Sequence, residues 1–369
     1  MGRRIIALII KELLALFRDK KSRMAVIVPP ILQLLIFGYA ATFDLEHAAL
    51  AILNEDSGAI SQELIGRFTS SAGFRVVGYL GSEAEIAPLI DSKGALLVLR
   101  IGQQCSSNLA QGESCPVQVL IDGRNSNTAM LALNYVRTII SDFNEELAEK
   151  TTGRKLPARL HLRAWFNPNL ESRWFIVPGI IALLAMIVTL VVTALSVARE
   201  REAGTFDQLL VTPLRLPDIL IGKAMPGLIV GVGEASLIIL VAVFWFKVPL
   251  VGQLTTLYPA LIIYVLSIIG VGLMISSFST TLQQALLGSF LFIVPAVILS
   301  GFSTPIANMP MFMQKLTYLD PMRYFLIIVR RVFLEGASIE YFWHELWPMS
   351  VIAACTLSLA TWLFRHRMH

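Results

Sequence analysis

Side chains able to do chemistry are few in this chain and fall in short, separated stretches. The densest is Arg199-Glu200-Arg201-Glu202, followed by Gly204-Thr205 and the semi-apolar Phe206 and Leu209. Alternating charges between two long apolar runs supply ion pairs rather than catalysis, because no nucleophile stands beside a base. Glu234 is the one acid well inside an uncharged run, flanked by Gly231, Gly233, Ala235 and Ser236. An ionisable group there is a functional candidate by default, as a substrate or proton contact. Its small neighbours equally fit a close helix–helix interface, and both readings stand. Cys105 and Cys115 are spaced for either a disulfide or two unpaired thiols across a short polar loop, and they lack the CxxC or histidine pattern of a zinc site. Asp122-Gly123-Arg124-Asn125-Ser126-Asn127 reads as a strand-to-helix turn capped by Ser126 or Asn127. Gly222-Lys223-Ala224 has neither the upstream glycine nor the following Ser/Thr of a nucleotide-binding P-loop.

The surroundings of these residues are apolar. Of 369 residues, 55% are hydrophobic and 15% charged, with a mean hydropathy of +0.68. Soluble domains run at roughly 45–50% and about 25%. The apolar residues are gathered into uncharged runs, which predicts a helical polytopic membrane protein. The net charge is +4, and no basic patch accompanies a nucleic-acid-binding module, so nucleic acid is excluded as a partner.

Six spans are predicted: 24–43, 174–197, 225–246, 257–278, 284–302 and 347–364. Each is close to the ~20 residues that cross hydrocarbon. Residues 1–23 read as an interfacial amphipathic helix, with Ile5, Ile9, Leu13 and Phe17 on one face and Arg4, Lys11 and Arg18 on another; a helix packed on protein is the alternative. The basic excess ahead of the first span places the amino terminus in the cytoplasm, and six spans return the tail at 365–369 to the same side. Residues 198–224 are then a cytoplasmic loop. Between the fifth and sixth spans, 303–346 is broken by Pro305, Pro310 and Pro321 into short helices, re-entrant or lying on the outer surface.

Residues 44–173 change character. Strand-like runs at 47–53, 74–80, 95–101, 117–121 and 160–165 alternate with helical patterns at 60–70, 83–91 and 128–150. This predicts a mixed α/β domain, placed outside the cytoplasm by the preceding span.

Taken whole, the sequence resembles the permease subunits of ABC-2-type (type V) exporters, in particular bacterial inner-membrane efflux and multidrug permeases with a large periplasmic insertion. The resemblance covers essentially the entire chain. It is carried by Glu200-Arg201-Glu202-Ala203-Gly204-Thr205-Phe206-Asp207-Gln208-Leu209-Leu210-Val211-Thr212-Pro213, close to the family's E-R-E-x-G-T-x-x-x-L-x-x-[ST]-P. Asn167-Pro168-Asn169-Leu170 and Asp320-Pro321-Met322-Arg323-Tyr324 support it, with Asp320 where many members carry Asn. The resemblance implies a multi-pass bacterial inner-membrane protein, half of a homo- or heterodimeric pore. No cofactor is bound directly; ATP and Mg sit on a separate cytoplasmic ATPase dimer. It further implies that Arg199 to Leu209 and the amino-terminal helix contact that ATPase, and the extracytoplasmic domain is large enough to dock a periplasmic adaptor. The expected function is export of an amphipathic or drug-like substrate by alternating access. The alternative is a proton-coupled secondary transporter using Glu234.

Overall fold

The computed structural model describes residues 2–18, 20–40, 47–152, 165–168, 171–205 and 215–367. The chain divides into two compact units, Phe43–Arg163 and the remainder (Met1–Thr42 with Ala164–His369).

The smaller unit is built on a four-stranded sheet of β1 (Ala48–Asn54), β2 (Phe74–Tyr79), β3 (Leu97–Ile101) and β4 (Val117–Ile121), in the order β2-β1-β3-β4. β1 is parallel to β2 and β3, while β4 runs antiparallel to β3. Side chains alternate faces along a strand, so a central strand covered on both sides must be apolar throughout. β1 obeys this. Leu50 and Ile52 join Leu97, Leu99 and Phe74 beneath α3 (Ala59–Ser70, through Phe68) and α6 (Ser126–Thr152, through Ala132, Val136 and Phe143). Ala51 and Leu53 face the other way with Val98, against Ile86 of α4 (Ile86–Asp91). The expected strand at 160–165 falls almost wholly outside the described residues.

Two local expectations are corrected in this unit. The stretch between Cys105 and Cys115 is not simply a polar loop, because Cys105–Ala110 forms a short helix, α5. The two cysteines are joined as a disulfide. At the start of α6, a backbone N–H is capped by the Asn125 carboxamide, which accepts from Thr128 N at 3.4 Å. The side chains of Ser126 and Asn127 lie outside the described residues. The Asp122 carboxylate is held by Arg124, whose hydrogen bonds push its pKa down to about 2.

The larger unit is helical: α1 (Gly2–Arg18), α2 (Lys20–Ala40), α7 (Ser172–Glu202), α8 (Leu216–Phe244), α9 (Leu254–Phe278), α10 (Leu282–Leu299), α11 (Met311–Leu316), α12 (Pro321–Leu334) and α13 (Trp343–Arg367). Among the described residues, five helices are long and apolar enough to cross a membrane, namely α7, α8, α9, α10 and the last, taken as 339–366. The helix expected to supply a further span, α2, begins with charged residues and has a shorter apolar stretch, Ile27–Ile36.

Helix α7 is the hub. Its most apolar window is 83% buried inside the unit, against 22% for α10 and for the last span. A helix apolar all round belongs inside a bundle, whereas the outer faces of α10 and the last span must meet lipid or another protein. Tyr264 of α9 fastens three helices together: it is fully buried, donates to Ala182 O of α7 at 2.9 Å, and stacks on Phe325 of α12 at 4.5 Å. Helix α12, short in pattern, is a core element, with Phe325, Ile328, Val329, Val332 and Phe333 all buried.

Candidate functional site

The Arg199–Thr205 segment sits where α7 ends, and its first four residues are not in a loop. At 31 residues α7 is roughly 46 Å long, well beyond a hydrocarbon core of ~30 Å. The surplus carries Arg199 to Glu202 as the last helical turn. Residues 216–224, expected in the same loop, are instead the first turns of α8. What lies between is 203–215, and of this stretch Phe206 and Leu209 lie outside the described residues.

The helix stops at Gly204, whose φ of +67° places it in the left-handed region that L side chains avoid. Gly204 N donates to Arg201 O at 3.1 Å and Thr205 N to Glu200 O at 2.9 Å. This pair of bonds satisfies two of the carbonyls a helix end leaves open. The glycine and the residue after it are therefore explained by chain geometry.

The charged residues of the motif each attach α7 to a different part of the bundle. Glu200, only 7% exposed, lies 2.7 Å from Lys11 Nζ of α1 and 2.6 Å from Lys223 Nζ of α8. Lys223, whose side chain is wholly buried, is also 2.7 Å from Glu12 of α1. Two acids and two bases thus form a neutral cluster linking α1, α7 and α8. The close approach is made possible by Gly222, where a Cβ would collide with the Leu8 side chain at 2.2 Å. Arg201 donates to Ser277 O (2.9 Å) and Ser279 O (3.3 Å) at the carboxyl end of α9, where a cation complements the helix dipole. Glu202 accepts from Leu282 N (2.7 Å) at the amino end of α10, the complementary arrangement.

This geometry changes the reading of the amino-terminal helix. Lys11, expected on a lipid-facing basic stripe, is committed to Glu200, and Glu12, which sequence reasoning left unassigned, holds Lys223 and accepts from Ser196 Oγ at 3.3 Å. The face that enters the unit is marked by Leu8 and Leu16, both buried, while Ile5, Ile9 and Leu13 are half-buried. Ile6, Ile10 and Leu14 are exposed. The side chains of Arg4 and Phe17 lie outside the described residues.

The outer-turn residues also have local roles. Asp320 caps α12 by accepting from Met322 N at 2.9 Å, and Pro321 takes the first helical position, where a missing N–H is harmless. Asn and Asp cap helices about equally well, which accounts for the acid at this position. Arg323 donates to Thr317 Oγ1 and stacks on Tyr318, 4.1 Å from the ring centre, while Tyr324 donates to Tyr318 O at 2.9 Å. Ahead of α7, Asn167 closes a turn with Glu171 through bonds in both directions, at 2.9 and 3.0 Å; Asn169 and Leu170 are outside the described residues.

Glu234 lies on α8, away from this junction. Its two carboxylate oxygens are shielded and have no hydrogen-bond partner, and it joins no ion pair among the described residues. The nearby Ser236 hydroxyl is engaged with Val232 O and Tyr258.

A bundle of apolar helices, five of them long enough to cross a membrane and fastened at one end by an ion cluster and by paired helix termini, has the architecture of a polytopic membrane protein. Residues 20–362 match the family described as ABC-2 family transporter protein. Over its full length the chain is 42% identical to the full length of the "Probable multidrug ABC transporter permease YbhR" of Escherichia coli K12. It is 32% identical over 339 residues to that organism's "Probable multidrug ABC transporter permease YbhS", covering 90% of this chain and 89% of the relative. It is also 24% identical over 367 residues to the "Inner membrane transport permease YhhJ" of the same strain, covering 98% and 97%. The chain belongs to the ABC-2 transporter family.

Proposed function

We propose that the chain is the membrane-spanning permease of an ATP-driven exporter, moving an amphipathic, drug-like substrate out of the cytoplasm or inner leaflet by alternating access. The observation that carries this is the junction at the end of α7. A partner pushing on one short segment there acts at once on α1, α8, α9 and α10, through side chains already bonded to each. The names of the relatives, multidrug and inner-membrane permeases, support the same reading.

In this mechanism two copies of the permease, or one copy and a sister permease, form the pore, and a cytoplasmic ABC ATPase dimer supplies nucleotide chemistry. The ATPase bears on the outer side of α1 and on residues 199–215, with Arg199, Phe206 and Leu209 as contacts. Glu200 is already enclosed, so it serves as an internal link. Helix α2 is the first span, both termini are cytoplasmic, and the Phe43–Arg163 unit faces the periplasm, where an adaptor docks. Coupling requires that ATPase closure favour one arrangement of these helices over the other.

Glu202→Lys tests it. The substitution places a cation beside the amino end of α10, where Leu282 N now meets a carboxylate. In proteoliposomes containing the ATPase, hydrolysis should persist while export falls by at least about tenfold, within the usual range of allosteric coupling. Export at the wild-type rate would refute the coupling role, and export abolished by an uncoupler with ATP present would favour a proton-driven carrier.

A further inference from the structure

Between α2 and α8 the larger unit contains a cavity of about 230 Å³. Its walls are apolar, formed by Ile27, Pro30 and Ile31 of α2 with Ile229 and Leu237 of α8, and the acid among its lining residues is Glu234. Four other carboxylates of the unit face a cation or donor: Glu12 and Glu200 meet lysines, and Glu202 and Asp320 meet helix amino ends. Glu234 has neither arrangement, since both its oxygens lack a hydrogen-bond donor among the described residues. An unpartnered carboxylate in an apolar setting is unfavourable, so a ligand that supplies the missing charge and donors is stabilised there.

We propose that this cavity is a binding site for a lipophilic organic monocation, with an ammonium group against Glu234 and an aromatic or alkyl body in the apolar cleft. The chemistry selects this class over others. A hard metal ion needs six or more oxygen ligands for Ca²⁺ or octahedral geometry for Mg²⁺, and the cleft offers one carboxylate, with no cluster of three or more metal-ligating side chains among the described residues. An anion meets the wrong charge. A neutral amphiphile fills the cleft but leaves the carboxylate unanswered. Cavities of ~150 Å³ lined by aliphatic side chains hold a benzene ring, so this one accommodates a ring with a short alkyl amine. In naming the occupant as cargo the proposal rests on the exporter reading; the site itself does not.

The test uses the full chain in phosphatidylcholine nanodiscs, with tritiated 4-phenylbutylamine as probe and 4-phenylbutanol as its neutral counterpart. Wild type should bind the amine saturably, beyond empty nanodiscs. Glu234→Gln, which keeps the shape and removes the charge, should weaken it by at least about tenfold, the effect of ~1.4 kcal/mol, while leaving the alcohol's binding unchanged. Gly233→Leu is a second variant that keeps the carboxylate. A Cβ at Gly233 meets nothing within 4 Å, and a longer side chain grows into the cleft. It should reduce binding of amine and alcohol alike. Amine affinity equal in wild type and Glu234→Gln, or no saturable binding above empty nanodiscs, overturns the proposal. Because binding needs no ATPase, Glu234-dependent binding without ATP-driven export would refute the exporter reading and leave the site standing. ATP-driven export of other amphiphiles with no such binding would do the reverse.

Discussion

Replacing Lys223 with Met removes the central cation of the junction while keeping much of its volume. The Lys223 ammonium lies 2.6 Å from Glu200 and 2.7 Å from Glu12, and its side chain is wholly buried. At an effective dielectric of ~20 each contact carries roughly 6 kcal/mol of gross attraction. Most of that is offset by the desolvation needed to enclose the charges. What is not offset is the loss of one partner: breaking a buried pair leaves its mate uncompensated, typically at 3–5 kcal/mol. Here Lys11 stays 2.7 Å from Glu200, so that carboxylate keeps a cation. Glu12 does not fare as well, because Lys11 is 3.9 Å away and its side chain is 55% exposed. The expected destabilisation is therefore about 3 kcal/mol, the low end of the range. Unfolding by SDS in mixed micelles, followed by tryptophan fluorescence, measures it. Adding Glu12→Gln should restore part of the loss, giving a coupling energy of at least about 1 kcal/mol in the double-mutant cycle. Additive effects of the two changes, with coupling below about 0.5 kcal/mol, would mean that the cluster does not act as a unit.

Two further outcomes follow from local geometry. Gly204→Ala forces a Cβ onto a residue at φ +67°, so it should lower stability by about 1 kcal/mol in the same SDS titration, and Gly204→Val by more; an unchanged midpoint for Ala would show that the stop does not depend on the left-handed residue. The Asp122 pKa is depressed to about 2 by Arg124, so its contribution is intact above the unfolded-state value near 4 and is lost as pH falls from there through 2. Amide protection factors at the start of α6, corrected for the intrinsic pH dependence of exchange, should fall over that window in wild type, and Asp122→Asn should flatten this dependence; identical profiles would remove the role assigned to the pair.

The strands of the smaller unit were legible because β-branched and aliphatic runs of five to seven residues stand between turn signals, and β1, β3 and β4 fall within a residue or two of their expected positions. Sheet order was not legible, since nothing local to Ala48–Asn54 says that β2 and β3 flank it in parallel. The apolar runs identified the long helices, yet the end of α7 was misread. Four consecutive charges look like the start of a loop when only hydropathy is followed, but a helix leaving hydrocarbon keeps its backbone bonds in water and ends where the chain can turn, here at Gly204. The junction itself was missed through distance. Lys223 lies 211 residues from Glu12, and its own neighbours offer only an incomplete nucleotide-binding motif. One signal was available: Lys11-Glu12 interrupts an otherwise apolar helical pattern, and a charge pair placed there asks for partners.

The way charge is used at the two sites separates their roles. At the junction every acid is answered within the chain, and the four-charge cluster is net neutral, so a shift of one helix alone would leave a buried ion uncompensated. The less costly motion carries α1, the end of α7 and the start of α8 together, while the bonds of Arg201 and Glu202 to the termini of α9 and α10 pass displacement outward. Such a junction transmits a push and has no free valence for a solute. Glu234 is the opposite case, a carboxylate with no partner among the described residues, beside a cleft formed by α2 and α8. Helix α8 carries Lys223 near its beginning and Glu234 eleven residues, about three turns, further on. Moving its first turn with α7 therefore changes the walls of the cleft. If α8 moves as a rigid element, export of a lipophilic cation should fail in Lys223→Met even where its binding, measured without nucleotide, is kept. Loss of both in proportion would place the defect in the cleft itself.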